Sequence, residues 1–142
     1  MNIPTTRFIR RFSPVLIAAL TVLSFGSAAK AQATIRTPLS APVESSGMTG
    51  GSQGSACGNI NPAAGQTIQV TESFASLSFE VKSEGNYTLF ITGPDGFSEC
   101  IFAHNYDGGV IKAPGLLNQG QYRVFVGDRS GSSNPYTLSI SQ

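Results

Sequence analysis

A chain of 142 residues with nine Lys plus Arg, eight Asp plus Glu, one His, two Cys and no Trp has room for a targeting segment and one small domain, not for a multidomain enzyme. The near-zero net charge argues against nucleic-acid binding, which needs a clustered positive field over many phosphates. Apolar residues stay frequent to the C-terminus, which argues against a disordered chain.

Residues 1–31 have the three parts of an export signal: the cations Arg7, Arg10 and Arg11, an uncharged apolar run from Pro14 to Phe25, and small residues at Ala29 and Ala31 around Lys30. The apolar run is about half of the roughly 20 residues needed to span a bilayer. Cleavage is expected before Gln32, with periplasmic or extracellular delivery. The remainder keeps five cations against eight anions, formally −3, and no basic patch for nucleic acid or anionic lipid.

Residues 32–55 show no hydrophobic period, and SSGMTGGSQGS at 45–55 has the composition of a flexible coil. This segment is expected to be a mobile tether, leaving 56–142 as the folded domain. There, helical periodicity is absent and period-two alternation recurs at 67–71, 76–82, 87–92, 121–127 and 136–141, with shorter runs at 100–104 and 110–113. Gly93-Pro94-Asp95-Gly96 reads as a turn in which Pro presets φ and Gly accepts positive φ. Glu84-Gly85-Asn86 and Asp107-Gly108-Gly109 read as hairpin connections. Seven to eight short strands so spaced predict an all-β antiparallel sandwich.

In an exported chain of this size the two cysteines are most simply a disulfide, Cys57 to Cys100. It would close a loop of about 44 residues, worth roughly 4 kcal/mol in unfolded-state entropy. A redox or metal-binding thiol pair would need closer spacing or a His cluster, and neither is present.

Leu89-x-Ile91-x-Gly93-Pro94-Asp95-Gly96, then Gly120-x-Tyr122-x-Val124-x-Val126, then Tyr136-x-Leu138-x-Ile140 resembles the bacterial pre-peptidase C-terminal domain over roughly Gln66 to Ser141. The resemblance implies a jelly-roll-like sandwich that is not itself catalytic and that aids secretion or surface binding. Such domains usually accompany secreted hydrolases, whereas no attached enzyme is expected here. Tyr87 and Thr88 stand where such domains often carry acidic residues, so the resemblance lends little support to an inherited calcium site.

His104 is the sole histidine, and a small secreted hydrolase would have to centre on it. No GxSxG elbow or other nucleophile context accompanies it, so no catalytic residue is assigned. Asp95, Asp107 and Asp128 each lie in a Gly-containing turn and are weak calcium candidates, since calcium prefers several oxygen ligands; Asp is also simply a good turn residue. No cofactor is expected. Phe90 and Phe125 fall on the nominally outward faces of their strands, with Phe97 in a turn, and could form an apolar shelf for a sugar ring, a peptide or another subunit. A reversed register would send these rings to the core, the commoner fate of Phe. The expected function is a secreted, non-catalytic binding or scaffolding module for a protein or glycan at the cell envelope or outside the cell, with carbohydrate- or calcium-dependent recognition as the narrower form.

Overall fold

The computed structural model describes residues 33–142; the export signal lies outside them. Nine strands form one hydrogen-bonded network: β1 (Ile35–Arg36), β2 (Val43–Met48), β3 (Gln53–Ser55), β4 (Gly58–Ile60), β5 (Gln66–Lys82), β6 (Tyr87–Thr92), β7 (Ser98–Phe102), β8 (Ile111–Asp128) and β9 (Pro135–Ser141). No α-helix occurs among the described residues, which also hold no helix long and apolar enough to cross a membrane.

The two long strands explain the architecture. Residues 74–81 of β5 pair with 111–118 of β8, while 66–70 pair with 120–124. Between Val70 and Phe74 the register shifts, and Gly120 lies opposite Val70 with φ +152°. A Cβ on Gly120 would come within 2.7 Å of the Pro94 ring, so glycine lets the strand turn the corner beneath that loop. One layer is therefore β2-β9-β5-β8 and the other β7-β6-β8-β5, with β1 added in parallel at Ile35–Ile68. Between them Phe79, Val81, Leu138 and Ile140 from the first layer meet Leu89, Ile91, Val124 and Val126 from the second in a single core.

The all-β sandwich expected from the alternation is present, and Tyr87, Leu89 and Ile91 face the core as their period requires. The expected tether at 32–55 is corrected: β1, β2 and β3 all lie within it, and β2 pairs with β9 over six residues, Val43↔Ile140 to Met48↔Pro135. Its composition hides this because β2 borrows apolar mass from its partner. Gly47 sits opposite Tyr136, whose ring occupies the space a Cβ would take.

The first strand is locked to the C-terminus by side chains. Thr37 Oγ1 donates to Glu72, the Thr71 amide donates to Thr37 Oγ1 at 3.1 Å, and Gln142 Nε2 donates to the second Glu72 oxygen at 3.0 Å. These donors, Thr37 foremost and then Gln142, lower the Glu72 carboxyl from 4.5 to about 2. A carboxyl with a depressed folded pKa contributes fully above the unfolded value and loses that contribution as pH falls through the folded one. The hydrogen-exchange protection of the Thr71 amide should thus fall between about pH 4.5 and 2. Glu72→Gln should abolish that pH window, and a wild-type protection factor that stays flat would remove the role.

Candidate binding face

The face of the second layer that points away from the core forms a grid of rows. Alternation sets Thr88, Phe90 and Thr92 of β6 outward, and the register aligns them with β7 and β8 as Ser98–Thr92–Arg123, Cys100–Phe90–Phe125 and Phe102–Thr88–Gly127. The β3–β4 ribbon folds across this face. It joins β8 at Asn59↔Asp128, and its turn carries Cys57 over β8 and β6 to a disulfide with Cys100 on β7, with Cα atoms 5.5 Å apart.

The ribbon seals the lowest row. Thr88 is fully buried and donates from Oγ1 to the Cys57 carbonyl at 2.7 Å. Gly127 must lack a side chain here, because a Cβ would meet Thr88 Oγ1 at 2.7 Å and the Asn59 carbonyl at 3.0 Å. Ile60 and Cys57 are buried beneath it, giving a small second core on the outer side of the sheet.

Two cation–aromatic stations flank the ribbon. In the first, the Phe90 and Phe125 rings lie 5.9 Å apart at 33°, and Arg123 Cζ sits 5.0 Å from the Phe125 centroid. Arg123 also donates from Nη2 to the Pro62 carbonyl at 2.9 Å, leaving further guanidinium N–H groups for a ligand. In the second, Phe102 lies between His104, stacked at 5.5 Å, and Arg129, whose Cζ is 5.0 Å from the ring. Phe90 and Phe102 are half-buried, while Arg123, His104 and Arg129 are exposed. The single salt bridge among the described residues joins Lys82 and Glu80 on the other layer.

The outward setting of Phe90 and Phe125 is thus what the register produces, although Phe125 is buried and Phe90 half-buried there. Phe97 does not join them. It packs edge-on against Tyr122 at 5.6 Å, on the core side, because the turn after β6 carries it around the strand end. Asp95 and Asp128 do not gather either. Asp95 is exposed beyond the Thr92 end of β6, whereas Asp128 pairs with Tyr87 at the opposite end. The 107–109 turn lies at that second end, where Tyr87 Oη donates to the Gly109 carbonyl. Asp128 is buried and shapes the turn that follows β8, its Oδ1 accepting from the Ser130 and Ser132 amides at 2.7 and 3.0 Å. No three His, Cys, Asp or Glu side chains converge among the described residues.

His104 sits in a 3-10 turn just past β7 rather than on the strand. Its described contact is the face of Phe102. Sequence reasoning did not select Arg123, Arg129 or Phe102. Alternation puts Arg123 beside Phe125 as an i, i+2 pair on one face of β8, whereas only the neighbouring strands reveal that Arg129 lies over Phe102 of β7.

No family model matches the chain. The uncharacterized protein Synpcc7942_2126 of Synechococcus elongatus is 35% identical over 134 residues, covering 92% of this chain and 95% of that protein. Among solved structures, the pre-peptidase C-terminal domain of a Bacillus anthracis collagenase aligns with 78% of this chain and 96% of its own, at 16% identity and a TM-score of 0.50. A periplasmic inhibitor of g-type lysozyme from Escherichia coli aligns over 78% of the chain and 98% of its own at 13% identity, with a TM-score of 0.37. The chain belongs to the family of the Synechococcus protein, and its sandwich has the fold of a pre-peptidase C-terminal domain.

Proposed function

We propose that the protein is an exported, non-catalytic binding or scaffolding module of the cell envelope or extracellular space, which meets its partner through the outer face of β6–β8. Export rests on the signal pattern of residues 1–31 and on the closed Cys57–Cys100 bridge, which persists in oxidising compartments. The observation that carries the binding reading is the pair of arginine–aromatic stations on one sheet face. Half-buried rings beside exposed guanidinium groups provide apolar area and orienting donors together.

The test is co-sedimentation of the purified protein with envelope and extracellular material from the cells that make it. Wild type should pellet with that material, and the Phe90→Ala/Phe102→Ala variant should lose about tenfold in retention. Thermal melting of both proteins separates a lost face from a lost fold. Retention unchanged in a folded double variant would move the site elsewhere. Turnover of an ester, peptide or glycan that disappears in His104→Ala would overturn the non-catalytic reading.

A further inference from the structure

From the two arginine stations we infer that the face binds a polyuronate, a polysaccharide bearing a carboxylate on its sugar rings. The inference rests on the binding role proposed above and names its ligand class.

The charge distribution comes first. Five cations and eight anions follow the signal segment, yet every charged residue that the register sets on this face is cationic: Arg123 within the grid and Arg129 just below it. Neither makes a salt bridge with a described carboxylate. Each is instead seated on an aromatic ring, Arg123 on Phe125 and Arg129 on Phe102. A guanidinium so placed stays charged and keeps edge N–H groups for a carboxylate, which it binds in a planar, bidentate manner.

The geometry then selects the carrier of the anion. β6 is hydrogen-bonded on both sides, to β7 and to β8, so the Phe90–Phe125 row presents side chains, while the one open backbone edge of the grid is the outer side of β7. A peptide read by strand addition would dock along that edge and not over the row that carries Arg123. Two arginines are too few for an anionic membrane, which is recognised by clusters of about four to eight cations, and too few for the many phosphate contacts of nucleic acid. A sugar ring can lie against the half-buried Phe90. The carboxylate of a uronic acid is attached directly to its ring, and Arg123 stands over Phe125, whose centroid is 5.9 Å from that of Phe90. Ring and anion are thus met by adjacent groups.

The spacing favours a polymer over a monosaccharide. Arg123 and Arg129 are six positions apart along an extended chain, about 20 Å at roughly 3.3 Å per residue, and the backbone remains in register beyond β8 through the Arg129 amide bond to the Asn86 carbonyl at 3.0 Å. One ligand must cross the disulfide ribbon to use both stations. A chain with repeated carboxylates does so and gains from occupying the second station at high effective concentration.

The experiment compares the purified protein on immobilised polygalacturonate, dextran sulfate and neutral dextran, each read as a dissociation constant at low and moderate salt. Polygalacturonate should bind at least tenfold more tightly than either other polymer, and binding should weaken with salt. Arg123→Ala and Arg129→Ala should each weaken it about tenfold, and the double variant about a hundredfold. Arg123→Lys keeps the charge but not the fork, and should recover only part of the loss. Dextran sulfate binding as tightly as polygalacturonate would reduce the face to a charge patch and overturn the inference. Equal binding of neutral dextran would overturn it too, while leaving a glycan-binding face in place. No polymer binding by a protein that still pellets with envelope material through Phe90 and Phe102 would overturn the uronate ligand and leave the binding role standing.

Discussion

Replacing Cys57 and Cys100 together by alanine is expected to lower the melting temperature by about 20 °C. The bridge spans 43 positions, and closing a loop of that size removes unfolded-state entropy worth roughly 4 kcal/mol. For a domain near 100 residues each kcal/mol moves the midpoint by about 4–8 °C. The folded state loses something as well. β4 is joined to β8 through one residue pair, Asn59↔Asp128, and the ribbon is otherwise fastened by the bridge and by the Thr88 bond to the Cys57 carbonyl. Without the bridge, Thr88 should become accessible. Calorimetry with and without reductant measures the first effect, and a change in near-ultraviolet circular dichroism reports the second. A shift below about 5 °C would mean that the ribbon is held by its packing alone.

The second large effect separates two phenylalanines five positions apart on β5. Phe79 is fully buried between the layers, whereas Phe74 is 64% exposed on the outer side. Phe79→Ala should cost about 3–5 kcal/mol, the transfer term plus the cavity left in a core that two sheets hold apart. Phe74→Ala should stay within roughly 0.5 kcal/mol. Urea unfolding of the two variants checks both values. A large loss for Phe74→Ala with a small one for Phe79→Ala would mean that the register of β5 is shifted by one residue, since a single slip exchanges the faces.

That register was legible because β5 and β6 obey strict alternation where one side meets the core. Ile68 and Val70, then Leu77, Phe79 and Val81, face inward as their spacing requires. What the alternation did not reveal was continuity. Residues 67–71 and 76–82 look like two strands but form one, because the shift after Val70 offsets the register with β8 without ending the extension. Likewise 110–113 and 121–127 both belong to β8, which runs through Pro114 and Gly120 where local chemistry signals turns. Pro114 is exposed on its strand and Gly120 marks the corner, so neither residue ends the strand here.

The first strands were illegible for a different reason. β2 has the sequence VESSGM, and its inward positions are small because β9 supplies the bulk through Tyr136, Leu138 and Ile140. A strand stabilised by its partner's side chains carries no hydrophobic signature of its own. At the candidate face, Phe90 and Phe125 could be found from parity, and the cysteine pair from compartment and count. Arg123 and Phe125 are an i, i+2 pair within β8, whereas the Arg129–Phe102 seat needed the third dimension, and Asp95 and Asp128, at opposite ends of β6, showed that turn chemistry alone does not bring carboxylates together.

Since β5 and β8 each run through both layers, the sandwich has no seam along which one half could part from the other. Loss of either layer strips partners from the same two backbones, so melting should be all-or-none. Fraying can start only at the periphery, at the two-residue β1 and the three-residue β3. A protease nick at these margins would leave the shared strands uncut.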